Sequence, residues 1–162
     1  MSPPSKYLAT YLNDHLAGAT FGVELVRRAA GENKGSELGA FLSQLAGEIE
    51  ADRETLKTIM AELGVRTDRA KVAIGWAAEK MGRLKPNAQL RGYSPLSPLI
   101  ELEGLLAGIQ GKLSMWRALA DVADGLGLDR ARMEALAARA VSQQTEVEGQ
   151  RVGVARRALT AV

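Results

Sequence analysis

The chain has 162 residues, enough for one domain, and its Ala and Leu residues outnumber Val, Ile and Thr about two to one, which favours helix over sheet. It contains no cysteine and one histidine, His15, which excludes disulfides, thiolate zinc sites, cysteine nucleophiles and multi-histidine metal sites. Its 21 Lys and Arg residues are nearly balanced by 19 Asp and Glu residues. The resulting net charge of +2 is too small to predict nucleic acid as a partner.

The placement of the five prolines leaves residues 5–85 and 99–162 open to long helices. Glycines and candidate N-caps, Ser5, Ser36 and Asp129, divide these segments further. We predict helices at about 5–30, 36–63, 67–84, 96–125 and 129–160, with Asp68 as a cap for the third and residues 85–95 as a loop.

The four long predicted helices are amphipathic, since their apolar residues recur at helical spacing along one stripe. The stripe of the second helix, for example, runs through Leu38, Leu42, Leu45, Ile49, Leu56 and Met60. Short turns join the first two helices and the last two. The pattern therefore predicts an all-α four-helix bundle as a single domain over residues 1–162, with the short helix 67–84 between its two hairpins.

Neither a signal peptide nor a membrane span is predicted. The first five residues, Met-Ser-Pro-Pro-Ser, lack an apolar core, and no stretch reaches the roughly 18 apolar residues that a membrane helix needs. We therefore expect a cytoplasmic protein without a membrane partner.

Two segments resemble the ferritin-like superfamily. The run Leu45-Ala-Gly-Glu-Ile-Glu-Ala-Asp-Arg-Glu-Thr-Leu56 is similar to the second helix of its bacterioferritin-like and stress-associated members. The opening Tyr11-Leu-Asn-Asp-His-Leu16 is similar to bacterial ferritin-like proteins. This resemblance implies a bundle of two helical hairpins joined through a longer middle segment.

The metal ligands of that superfamily are not matched. Alignment on Ala51-Asp52-Arg53 places Gly47 where the family has a glutamate and Glu50 where it has a histidine. A dinuclear site needs several convergent carboxylates and imidazoles. The resemblance therefore does not carry over an intact dinuclear metal site or ferroxidase activity, and no cofactor is predicted.

Four polar residues fall on the apolar stripes and predict a buried polar network: His15, Asp52, Gln144 and Arg151. Buried polar groups are costly unless they are paired. If the first hairpin turns between Asn33 and Lys34, His15 and Asp52 lie at one height, which suits a hydrogen bond between imidazole and carboxylate. Gln144 joins this layer if the second hairpin turns at the same end.

Three interpretations of this network remain open from the sequence. The favoured one is structural, with the polar groups fixing the helix register. The second is a single-metal or small-ligand site built on His15, Asp52 and Glu48. The third is acid–base catalysis by the His15–Asp52 pair, for which no neighbouring nucleophile is evident, so no catalytic residue is assigned.

Small residues on the last two helices predict close approach of another backbone. Gly104 and Gly108 lie on the fourth helix, and Gly149 and Gly153 on the fifth. The partner is either the short helix with Trp76 or a second copy in a homodimer. Together these patterns predict a non-enzymatic ferritin-like bundle with a structural or protein-interaction role, or alternatively a stress-related protein that binds a metal or small ligand near His15 and Asp52.

Overall fold

The regular structure of the described residues is entirely helical, which confirms the all-α class. The computed structural model describes residues 4–70 and 93–160. Its helices are α1 (Lys6–Glu32), α2 (Glu37–Glu62), α3 (Ser97–Asp121), α4 (Ala123–Leu126) and α5 (Arg130–Thr160). Most of the predicted short helix 67–84, with Trp76, and most of the loop 85–95 lie outside the described residues. Among the described helices, none is both long and apolar enough to cross a membrane.

The predicted helix starts are confirmed by their capping hydrogen bonds. The hydroxyl of Ser5 accepts from the backbone N–H of Tyr7 at 3.2 Å, and that of Ser36 accepts from Gly39 at 3.0 Å. The carboxylate of Asp129 accepts from the N–H of Ala131 at 2.9 Å. These side chains satisfy backbone donors that have no partner in the first turn of a helix.

The predicted helix 96–125 is divided in the structure, because α3 ends at Asp121 and a single turn, α4, follows. Gly127 then takes a left-handed conformation with φ of 69°, which few residues other than glycine adopt without strain. This turn redirects the chain into α5. The difference from the prediction is thus one break near the C-terminal end of the helix.

The long helices pack as two hairpins, α1 with α2 and α3 with α5, and the hairpins meet mainly where α1 lies against α3. In contrast, α2 touches α5 at only a few points. The core is aliphatic, with Leu12, Leu42 and Met133 almost fully buried. Trp116 on α3 is 1% exposed and is the largest of these buried side chains.

A cluster of polar side chains ties the start of α3 to the end of α1. Tyr93 donates to Glu101 Oε2 at 2.6 Å, and its hydroxyl accepts from Asn33 Nδ2 at 2.8 Å. Arg28 Nε donates to the other oxygen of Glu101 at 3.2 Å. Burial raises the pKa of Glu101, which Tyr93 and Arg28 oppose. These contacts fix where the second hairpin begins relative to the first.

The turn between α1 and α2 requires glycine at position 39. An ideal Cβ on Gly39 would lie 2.1 Å from the carbonyl oxygen of Asn33, closer than any van der Waals contact permits. The backbone of the turn therefore packs directly onto the first turn of α2.

Replacement of Gly39 by alanine tests this close approach. We expect Gly39→Ala to lower the free energy of unfolding by about 1–3 kcal/mol or more, because the turn must move to admit the methyl group. Gly47→Ala is the matched control, since Gly47 is exposed in the same helix and has no neighbour within 4 Å of its Cβ position. It should raise the stability by about 0.5–1 kcal/mol. Urea unfolding measures the stability of both variants. Equal changes in stability would contradict the close packing of the turn against Gly39.

Candidate functional site

The carboxylate of Asp52 is the most deeply buried acidic group in the described residues, at 3% exposure on α2. Lys112 on α3 donates to its Oδ2 at 2.5 Å, and Arg139 on α5 donates to its Oδ1. Such charge-assisted bonds are stronger than neutral ones, and they offset the cost of removing the carboxylate from water. One side chain of α2 is therefore tied to both helices of the other hairpin.

Gln143 and Glu48 complete this arrangement. Gln143 on α5 is 1% exposed, and its Oε1 accepts from Lys112 Nζ at 2.5 Å. Its Nε2 donates to Glu48 Oε2 at 3.1 Å and to Asp52 Oδ2 at 3.3 Å. We call Glu48, Asp52, Lys112, Arg139 and Gln143 the polar cluster. Its two carboxylates and two cations balance, so its formal charge is zero.

Burial lowers the pKa of the Lys112 ammonium, and the neighbouring Asp52 carboxylate opposes that shift. Only 14% of this lysine side chain is exposed, and its charged end meets Asp52 of the other hairpin. Long basic side chains can bury their methylene groups in this way and still place the charge at a polar point.

His15 lies on α1, half-buried, and packs against the ring of Tyr11 rather than bonding to Asp52. The two ring centroids are 4.6 Å apart and nearly perpendicular, at 70°. Within the described segments, His15 makes no hydrogen bond to Asp52, whose oxygens accept from Lys112, Arg139 and Gln143. Burial lowers the pKa of His15 from 6.5, with Asp14 opposing, so its imidazole is neutral at pH 7.

The predicted network shares only Asp52 with the polar cluster. Gln144 is partly exposed and donates to Gln110 at 2.9 Å, and Arg151 forms an ion pair with Glu148 at 2.7 Å. Adjacent residues of a helix differ by about 100° in direction, so Gln143 faces Asp52 and Gln144 does not.

Sequence reasoning missed Lys112 and Arg139. In the sequence they are basic residues beside an apolar stripe, and that pattern does not distinguish them from solvent-exposed residues.

At the metal site expected from His15, Asp52 and Glu48, basic side chains already balance the negative charge of Asp52. Asp52 bonds to two cationic side chains, and Glu48 accepts from Gln143 and from Gln44. Among the residues that the structure describes, no group of three or more His, Cys, Asp or Glu side chains converges as metal ligands would. The single metal ion therefore stays a prediction that this geometry does not favour.

A cavity of about 470 Å³ lies beside the polar cluster, between α1, α2 and α3. Apolar side chains form much of its wall, including Leu25, Ile49, Leu56, Met115 and Trp116. Glycines create the space. A Cβ built on Gly18, Gly108 or Gly111 would meet nothing within 4 Å.

The cavity also has a polar part, and here the structure brings two predicted site residues together. His15 and Asp52 both line it, as do Lys112 and Arg53. His15 and Asp52 therefore share a cavity and not a hydrogen bond, and their equal height stays a prediction.

The four glycines expected at a dimer interface separate into two groups. Gly104 and Gly108 line the cavity, whereas Gly149 and Gly153 do not. A side chain at position 104 would come within 3.2 Å of Leu25 on α1. The small residues of α3 thus serve the contact between hairpins and the cavity.

Compared with known proteins, the chain matches no family model, no curated protein and no solved structure. The cavity and the polar cluster are therefore the features of the molecule that bear on its function.

Removal of the Asp52 charge tests the polar cluster. We expect Asp52→Ala to lower the free energy of unfolding by about 3 kcal/mol, because Lys112 is left buried without its counter-charge. Glu54→Gln on the same helix is the control, since its ion pairs with Arg53 and Lys57 are half exposed and contribute about 1 kcal/mol at most. Urea unfolding compares the stability of the two variants. If the Asp52 variant is as stable as the control, the polar cluster does not stabilise the fold.

The neutral state of His15 predicts a pH dependence. Below about pH 6.5 the unfolded chain takes up a proton at His15 that the folded chain does not, so wild-type stability falls as pH drops toward the lowered pKa. In His15→Gln this contribution is absent. The stability difference, wild type minus variant, should therefore decrease below pH 6.5. A difference that stays constant from neutral to mildly acidic pH would argue against burial of the ring.

Proposed function

We propose that this chain is a non-catalytic helical bundle that binds a small, mostly apolar molecule in the cavity between α1, α2 and α3. The observation that carries the proposal is the cavity itself. Its 470 Å³ fall within the range of about 300–1,000 Å³ of small-molecule sites, and its wall is mainly apolar with a few polar groups.

The glycines support a role for this space. Glycine in a helix interior costs roughly 1 kcal/mol relative to alanine. Gly108 and Gly111 lie in the middle of α3, where alanine would meet no neighbour within 4 Å. The sequence thus keeps an open wall at a cost in stability, which is typical of positions that serve binding.

The polar cluster supports binding rather than catalysis. Asp52, Lys112 and Gln143 are bonded to one another and hold the two hairpins together. Groups engaged in this way give the cavity a fixed wall. A site held on packed helices has the rigidity that ligand recognition requires.

The ferritin-like architecture is part of the proposal, supported by the two hairpins of long helices and by the similarity of the Leu45–Leu56 run. In this proposal the interior of the bundle holds the polar cluster and the cavity, and no intact dinuclear site. The structural or protein-interaction role, the homodimer and the cytoplasmic location stay predictions beside it.

Filling the cavity from α3 tests the proposal. The probe is prodan, an uncharged naphthalene ketone whose emission shifts to the blue in apolar surroundings. We expect saturable binding to the wild type and at least about tenfold weaker binding to Gly108→Leu, because the new side chain enters the cavity. Fluorescence titration measures both affinities.

Gly149→Leu provides the matched control. Gly149 is, like Gly108, an exposed helical glycine with open space at its Cβ position, but it lies on α5 and does not line the cavity. This variant should bind prodan as the wild type does. Circular dichroism verifies that both variants stay helical. Absence of saturable binding to the wild type, or equal binding by the two variants, would overturn the proposal.

A further inference from the structure

The cavity is elongated along the helices that form its wall. Its lining residues run from Asp14 to Leu25 on α1 and from Gly104 to Trp116 on α3. Because a helix rises about 1.5 Å per residue, these two stretches are about 16 Å and about 18 Å long. The volume of 470 Å³ is therefore spread over several helical turns rather than gathered in one round chamber.

One end of the cavity is apolar. A Cβ built on Gly104 would lie 3.2 Å from Cδ2 of Leu25, so α1 and α3 are in contact there. One turn beyond, Arg28 Nε donates to Glu101 at 3.2 Å, which shows that the two helices run antiparallel. In the segments that the structure describes, no polar side chain lines the cavity within about two turns of this contact.

The opposite end of the cavity is polar. It contains all the polar side chains that the described part of the chain contributes to the wall, namely Asp14, His15, Asp52, Arg53 and Lys112. Along α3, Lys112 lies about 12 Å from Gly104, and Asp52 is held beside it by their hydrogen bond. Along α1, His15 lies about 15 Å from Leu25.

This polar end suits a hydrated head group of either charge or none. Asp14 is exposed there, so a polar group beside it stays in contact with water. The two carboxylates and two cations of this end cancel, and His15 is neutral at pH 7. A head group at this end therefore keeps its hydration, which avoids the cost of burying it.

We infer that the cavity binds one unbranched alkyl chain of about 12 to 14 carbons, with its polar head group at the His15 end and its methyl group beside Leu25. This inference rests on the proposed function and specifies its ligand class. It follows from the cavity's length and from the separation of its polar and apolar ends.

Two independent estimates of the chain length agree. An extended chain advances about 1.2 Å per bond, since an extended backbone spans about 3.6 Å over the three bonds of a residue. A cavity of about 16 Å thus accommodates about 13 bonds. At roughly 30 Å³ per water-sized group, 470 Å³ accommodates about 15 non-hydrogen atoms. A compact ring system with that number of atoms would leave part of the length unfilled.

A series of fatty carboxylates tests the chain length. Saturated carboxylates with 8, 10, 12, 14 and 16 carbons are titrated into the protein below their critical micelle concentrations, by isothermal titration calorimetry. We expect one chain per protein molecule and an affinity that rises about threefold to fourfold for each buried methylene group. The rise should stop at 12 to 14 carbons, because further methylene groups stay in water.

A side chain placed within the apolar half should shorten the chain that the cavity accepts. Gly108 lies about 6 Å along α3 from Gly104, so a leucine there would exclude about the last five carbons. We expect Gly108→Leu to bind octanoate as the wild type does and tetradecanoate at least about thirtyfold more weakly. In the control Gly149→Leu, which alters no residue of the cavity wall, the whole series should match the wild type.

Decan-1-ol and decanoate compare an alcohol with a carboxylate as the source of the chain. Their affinities for the wild type should agree within about tenfold, because either head group stays hydrated beside balanced charges. A larger difference would show that the head group and not the chain is selected, against the inference.

The outcomes separate this inference from the proposed function. If prodan binds but the carboxylates do not, or if their affinity for the wild type keeps rising through 16 carbons, the inference fails and the binding function stands. The same holds if Gly108→Leu and Gly149→Leu show one common chain-length limit. If neither prodan nor any chain binds, the proposed function itself fails. The wild-type series does not depend on the folding of a variant.

Discussion

A carboxylate removed from water constrains how the two hairpins meet. Asp52 is 3% exposed, and an ionised group at such a depth is retained only when charged partners reach it. Lys112 and Arg139 are those partners, and both belong to the other hairpin. Because α2 and α5 otherwise touch at few points, the polar cluster determines the spacing of a junction that apolar packing leaves loose.

This constraint explains why the cavity lies where it does. Gly18 on α1 and Gly108 and Gly111 on α3 leave the space between the hairpins unfilled, and glycine within a helix costs stability relative to alanine. Lys112 and Asp52 line that space and at the same time join α3 to α2. The cluster thus keeps the hairpins apart at a fixed distance while Trp116 and Ile109 on α3 fill the adjoining core.

The helices were predictable because their signals are local. Ser36 and Asp129 mark helix starts, since each supplies an acceptor to the first turn, and both are confirmed as caps. The break after Asp121 was not predictable, because Val122 and Ala123 are compatible with a continuous helix. Its position depends on the tertiary fold rather than on a breaking residue.

The site was predictable only where a polar residue lies at the centre of an apolar stripe. Asp52 met that criterion and is buried, and His15 met it and lines the cavity. The apolar stripe of the last helix passes through Gln144 and not Gln143, and a difference of one residue reverses which amide faces inward. Lys112 and Arg139 could not be found this way, since a long flexible side chain lets a residue at the edge of a stripe place its charge inside.

The polar cluster and the cavity share two residues, so their energetics are linked. A ligand that binds only the folded chain raises its stability by RT ln(1 + [L]/Kd), or about 2.7 kcal/mol at a hundredfold excess over Kd. A molecule bound in the cavity would also fill space that Gly108 leaves open. The unfilled space makes the empty junction less stable than a filled core, and filling it would therefore supply driving force for binding. Binding in the cavity would leave the ion pair of Asp52 and Lys112 intact.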